Sequence, residues 1–199
     1  RGAVAVPISV QNTTEFVEKI IEQTEAKLII KSSRLPAIKG IETIQIEDAP
    51  LLSSPVEFNP EFKKPKINED DVAEIIYTSG TTGFPKGVML THRNILSNVK
   101  ASLKAIPVSK DDRFLSILPL SHMFEQVGGM LVPLAAGAQV TYATSLNSLS
   151  IRKNLADDKI TIMPAVPEFL KLSVKRIETE AEKEGKKKFF DVLCSLSLK

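Results

Sequence analysis

The sequence predicts an α/β fold with mainly parallel sheets flanked by helices. Three observations carry that expectation. Short apolar runs alternate along the chain with segments whose apolar residues recur every three or four positions. The first such run, the helical segment after it and the next run read as strand–helix–strand, the parallel crossover unit. Further on, the run Val72–Thr78 leads straight into a loop rich in glycine and threonine.

The elements follow in order. Residues 3–10 are apolar and bounded by turn formers, which predicts a buried strand. Asn12 stands where a helix cap is expected, with Glu15 at capping-box spacing, and Phe16, Val17, Ile20, Ile21 and Thr24 then follow a helical period. Residues 27–31 read as the next strand. Residues 50–71 carry four prolines and dense charge, so they read as a surface connection. Residues 72–78 and 87–92 are strands on either side of the loop. Thr91 caps a helix with Ile95, Leu96, Val99, Leu103 and Ile106 on one core-facing side. Residues 113–118 form a strand, and 121–136 a helix with Ser121 as cap and Gly137 as stop signal. Residues 138–143 form a strand, a short helix lies near 147–157, and 159–166 form another strand. From Pro167 a long helix places Val166, Phe169, Leu170, Val174, Ile177 and Ala181 at three- and four-residue steps, again as a core face. The run 180–188 is a charged, solvated break, and no internal repeat is found.

Bulk composition narrows the function classes. With 199 residues, 43% hydrophobic and 25% charged, the chain reads as an ordinary globular protein with enough length for a real core. A net charge of +2 argues against a nucleic-acid-binding domain. The single cysteine, Cys194, excludes an internal disulfide, fits a reducing compartment, and reads as a small hydrophobe in a C-terminal helix. No apolar run approaches the length of a membrane span.

The loop "YTSGTTGFPKG" (77–87) packs four serine and threonine hydroxyls, three glycines, a proline and a lysine into eleven positions. Glycines let a backbone curl so that several N–H groups converge on an anion. Thr78, Ser79, Thr81 and Thr82 add hydroxyl donors, Lys86 adds a point charge, and Pro85 stiffens the approach to it. The Walker pattern fails, because Pro85 stands where its second glycine is required and Gly87 follows the lysine. The dinucleotide pattern fails because Gly80 and Gly83 are separated by Thr-Thr. On composition alone, a hairpin turn remains the competing reading.

The string "YTSGTTGFPKGVMLTHRN" (77–94) resembles the signature of the AMP-forming acyl-CoA synthetases, the adenylate-forming ligase superfamily, over eighteen consecutive positions. "GAVAVPISV" with "EFVEKIIEQTEAKLII" resembles the family's upstream strand–helix–strand, and residues 112–143 resemble its next block. "PLSHMFE" and "MPAVPEFL" look most like the long-chain fatty-acid–CoA ligase branch. The resemblance implies ATP and CoA as co-substrates with a fatty acid, and Mg2+ as the metal. It implies that Thr78, Ser79, Gly80, Thr81, Thr82 and Gly83 wrap the phosphates, that Thr78 touches Mg2+, and that Lys86 balances charge on the leaving pyrophosphate. Lys86 and His122 are the catalytic candidates. His122 and Phe124 are expected to line the acyl substrate as gating rather than acid–base groups, with Glu125 as a structural hydrogen-bond partner. His92 reads as a helix-opening residue without a chemical role.

The resemblance further implies that residues 1–199 are a fragment of the large N-terminal domain of an acyl-CoA synthetase-like fold. It comprises a strand–helix–strand part (1–49), the Pro-rich connection (50–71) and a phosphate-loop part (72–199). The adenine block, ribose-binding aspartate and C-terminal domain with its lysine are expected downstream, so the isolated piece is expected to be inactive. No nucleic-acid partner is expected. The expected location is cytoplasmic, with peripheral association at the inner face of a membrane to reach lipid substrates, and an oligomer remains open. The alternatives are an adenylating ligase for another carboxylate and a noncatalytic nucleotide- or phosphate-binding module.

Overall fold

The computed structural model describes residues 2–48, 65–78 and 85–197. The fold is α/β, as expected. Among the described residues it holds three two-stranded sheets, two parallel and one antiparallel, and the chain divides into two compact units.

The first unit comprises Arg1–Ala101 and Pro119–Met123. Helix α1 (Thr14–Thr24) is capped by Thr13, whose hydroxyl oxygen accepts from the Phe16 amide at 3.3 Å. Asn12 is not the cap, because its own amide turns back to the Ser9 carbonyl (3.1 Å) in the preceding bend. α1 buries Ile20. Strand β1 (Leu28–Lys31) pairs in parallel with β2 (Glu42–Gln45), Leu28 opposite Glu42. The sequence gives no expectation of β2, whose alternation of Glu, Thr, Ile and Gln offers little apolar contrast. The expected strand over 3–10 is a single parallel bridge, Ala5 to Glu74. Ala5 donates to the Ala73 carbonyl (3.0 Å) and accepts from the Ile75 amide (2.9 Å); two residues later Pro7 has no N–H with which to continue the ladder. The expected crossover therefore does not form as read.

Strands β3 (Val72–Thr78) and β4 (Lys86–Thr91) form an antiparallel hairpin. Helix α2 (His92–Ala105) starts directly from it. Thr91 caps this helix as expected: its hydroxyl accepts from the Asn94 amide (3.2 Å), while the Asn94 side-chain oxygen accepts from the Thr91 amide (3.0 Å). Val99 is buried on α2, but Leu96 and Ile106 are exposed, so the core-facing stripe is narrower than its periodicity suggests.

The second unit comprises Ser102–Leu118 and Phe124–Lys199. Strand β5 (Arg113–Ser116) pairs in parallel with β6 (Gln139–Tyr142), ending with Ser116 opposite Tyr142. Residues 159–166 do not form a full strand; a single parallel bridge joins Ile162 to Phe114. The left-handed backbone of Lys159 (φ +50°) and the missing N–H of Pro164 confine the pairing. The core of this unit is Leu115, Ile117 and Ile151, packed by Leu118, Ala143, Ile160, Met163, Ala165 and Phe169.

The expected helix over 121–136 is an α3 turn (Met123–Glu125), a π-helical stretch (Gln126–Leu131) and α4 (Val132–Ala136). Gly137 ends it in the left-handed conformation (φ +72°), as expected. Ser121 is not the cap: its hydroxyl is buried without a hydrogen-bond partner. Helix α5 (Ser148–Asp157) is capped by Asn147, and α6 (Pro167–Lys183) and α7 (Lys187–Ser197) follow. The charged break is confined to residues 184–186, where Gly185 turns the chain at φ +69°. Phe169 reaches the core, but Leu170, Val174 and Ile177 on α6 are half exposed. Periodicity marks an apolar face without saying what covers it.

Candidate functional site

The hairpin register places Thr78 opposite Lys86. Those two residues therefore stand at the two feet of the glycine- and threonine-rich loop. Ser79, Gly80, Thr81, Thr82 and Gly83 lie outside the described residues. Pro85 is buried while Lys86 and Thr78 are exposed, so the proline anchors the foot and leaves the ammonium group and the hydroxyl in solvent.

Three features hold the hairpin in register. Ile76 is buried in β3. Tyr77 lies opposite Gly87, and a Cβ at Gly87 would stand 3.1 Å from Tyr77 Cζ, so the ring covers the bare backbone of the residue after Lys86. Partial burial pushes the Tyr77 phenol above its ordinary pKa. At the base, Arg93 grips Asp70 with two bonds, Nε to Oδ1 at 2.7 Å and Nη2 to Oδ2 at 3.0 Å, and meets Glu69 at 2.8 Å. Its amide also donates to the Glu69 carbonyl (2.8 Å), tying the start of α2 to the segment entering β3. The hydrogen bond and charge of Arg93 hold the Asp70 carboxyl below its usual range. His92 is the first residue of α2, as expected.

The "PLSHMFE" stretch follows β5. His122 is exposed, and its amide donates to the Pro119 carbonyl (3.1 Å). Phe124 is 55% exposed, and Glu125 is fully buried (0%). Glu125 Oε1 accepts from the Ser116 hydroxyl at 2.6 Å and from the Ile117 amide at 3.1 Å, which makes it the structural hydrogen-bond partner expected from sequence. Ser116 and Gly129 are the residues that sequence reasoning passes over. A Cβ at Gly129 would lie 2.4 Å from Glu125 Oε1 and 3.2 Å from Ser116 Oγ. The available signals were a hydroxyl inside the apolar run "FLSIL" and the paired glycines 128 and 129 inside an apolar helical segment. The Tyr142 phenol is pushed up by burial first and by the charge of Glu125 second.

The structure thus brings Thr78 and Lys86 together. His122 belongs to the same unit as the hairpin, and Phe124 falls in the other. Among the described residues no group of three or more His, Cys, Asp or Glu side chains could hold a metal, and no helix is long and apolar enough to cross a membrane.

A strand-flanked Gly/Thr loop with a lysine at its foot, set in an α/β fold, is the pattern that the family comparison can be set against. Residues 1–196 match the AMP-binding enzyme family, and the chain belongs to it. It is 39% identical over 158 residues to long-chain-fatty-acid–CoA ligase 5 of Rattus norvegicus, covering 74% of this chain and 21% of the relative. It is 32% identical over 183 residues to 4-coumarate–CoA ligase 1 of Petroselinum crispum, covering 84% of this chain and 34% of the relative. Among solved structures, a fatty acyl-adenylate ligase from L. pneumophila, in complex with acyl adenylate and pyrophosphate, superposes with a TM-score of 0.68 at 26% identity, over 81% of this chain and 30% of that one. The chain spans about a fifth to a third of the length of these proteins. The superfamily expected from the loop and its flanking blocks is borne out.

Proposed function

We propose that the protein containing this chain is a long-chain fatty acid–CoA ligase that forms AMP, and that this chain supplies its triphosphate grip as part of the N-terminal domain. The observation that carries the reading is the pairing of Thr78 with Lys86 at the mouth of the Gly/Thr loop. The 39% identity to a rat long-chain ligase supports the choice of acid.

In the first step a fatty-acid carboxylate oxygen attacks the α-phosphorus of ATP. The bond to the bridging β-oxygen breaks, its electron pair leaves with pyrophosphate, and acyl-AMP forms. Charge grows on the departing β- and γ-phosphates, where Lys86 and the loop residues 79–83 act as donors. Lys86 stands at the foot of the loop between Pro85 and Gly87, on a strand whose Gly87 lies against the Tyr77 ring, which supports that role. In the second step the CoA sulfur attacks the acyl carbonyl and the bond to AMP breaks; His122 and Phe124 line and gate that approach. A single exposed hydroxyl, Thr78, fits a Mg2+ ion that keeps most of its ligands as waters and phosphate oxygens. When bound, that ion neutralises phosphate charge. The adenine and ribose contacts and the C-terminal lysine are assigned to the rest of the protein, so this chain alone is inactive. Peripheral attachment to a lipid surface would bring the enzyme to its substrate.

A second reading, activation of an aromatic acid, is favoured by the 32% identity to the parsley coumarate ligase across 84% of this chain. Acid-dependent ATP–pyrophosphate exchange by the intact protein separates the two. Stimulation by palmitate well above 4-coumarate is expected. The reverse preference would establish the second reading, and no stimulation by any acid would leave a noncatalytic nucleotide-binding module.

A further inference from the structure

The carboxylate of Glu125 is completely buried, at 0% exposure, beside the buried Ser116 and in the unit whose hydrophobic cluster centres on Leu115, Ile117 and Ile151. Both of its hydrogen bonds go to the end of β5, through Ser116 and Ile117, and both end on Oε1. Oε2 is buried without a partner. Among the described residues two donors hold this buried carboxyl, a poor way to add stability, since an apolar side chain of similar volume would fill the space without desolvating a polar group. What the carboxylate adds is direction: it fixes one helical turn against one strand end.

That turn carries Phe124. Successive side chains on a helix point about 100° apart, so burying Glu125 turns Phe124 outward, where it is 55% exposed. The chain then widens into the π-helical stretch Gln126–Leu131, a distortion that often marks functional sites. Gly129, inside that stretch, supplies the space: any Cβ there would meet Glu125 Oε1 at 2.4 Å. Ser116, Glu125 and Gly129 therefore form one device, in which a bare backbone position admits a carboxylate that pins the turn to the strand.

We propose that Glu125 is a positioning residue for the acyl-facing turn, holding Phe124 where it meets the fatty-acid chain. The proposal rests on the ligase reading above. It assigns Glu125 no contact with substrate and no proton transfer.

The test uses the intact protein and three variants, Glu125→Ala, Glu125→Gln and Gly129→Ala. Pyrophosphate exchange gives separate KM values for palmitate and ATP. Glu125→Ala and Gly129→Ala are expected to raise the palmitate KM about tenfold, within the roughly 10²-fold that an ångström of misplacement can cost, while the ATP KM stays near that of the wild type. Glu125→Gln keeps an acceptor oxygen for Ser116 and Ile117 and is expected to restore the palmitate KM. Equal rises in both KM values, or no rise, would overturn the proposal. Amide exchange of residues 123–127 without substrates is read in parallel. Faster exchange in Glu125→Ala and Gly129→Ala, reversed in Glu125→Gln, is expected; unchanged exchange would overturn the proposal even if the wild type activated no acid. Inactivity of the wild type with altered exchange would instead remove the ligase reading and leave the positioning role standing.

Discussion

Gly87 lies opposite Tyr77 across the hairpin, and a Cβ placed on it would stand 2.8 Å from Ile75 Cγ2 and 3.1 Å from Tyr77 Cζ. Neither neighbour yields easily, because Ile75 is β-branched and stiff at χ1 and the Tyr77 ring is partly buried. Gly87→Ala is therefore expected to push β4 from β3 next to Lys86. Overpacking of this kind costs about 1–3 kcal/mol. Urea unfolding measures the loss, and a raised KM for ATP in the same variant would link the strand register to the grip on phosphate.

Leu115 is fully buried at 0% exposure, in the strand whose end receives Glu125. Leu115→Ala removes side-chain volume at the centre of the second unit's core and is expected to cost about 2–5 kcal/mol. Thermal or denaturant unfolding of the intact protein checks it.

Glu47 ties the loop after β1 to the turn after β2. Its carboxylate accepts from the Ser32 hydroxyl and from the Ser33 amide (2.8 Å), and these bonds, the Ser32 bond foremost, bring its pKa down to about 2. A lowered folded-state pKa means that the ionised form is favoured by folding. The stabilisation is present above the ordinary value of 4.5 and is lost as pH falls through about 2. The stability gap between wild type and Glu47→Gln is thus expected to be constant above pH 5 and to close as the pH falls from there. Unfolding curves taken in steps down the pH scale measure it; a gap that widens on acidification would contradict the assignment.

Much of the architecture was legible in residue order. The hairpin could be read because "VAEIIYT" and "GVMLTH" are apolar and bracket a glycine-rich turn, and the Thr91 cap because its oxygen needs only a local amide. Local signals failed where long-range pairing decides. Residues 3–10 look as strand-like as 72–78, yet pairing is held to Ala5, with Pro7 just beyond. The helix over 121–136 was visible, but not its π-helical stretch, nor the bond from Ser116 to Glu125, which spans nine residues of chain just before it. The Thr78–Lys86 pair was readable from motif and strand pattern together, whereas Ser116 and Gly129 acquire a meaning only through the buried carboxylate they surround.

The most direct measurement is acid-dependent ATP–pyrophosphate exchange by the intact protein and its Lys86→Ala variant, at matched folding by thermal melting. Loss of a positioned donor to developing phosphate charge lowers turnover by about 10²–10³-fold. A fall of that size, with an unchanged melting temperature, is the expected result. Equal exchange rates in the two proteins would contradict a phosphate grip at the foot of this hairpin.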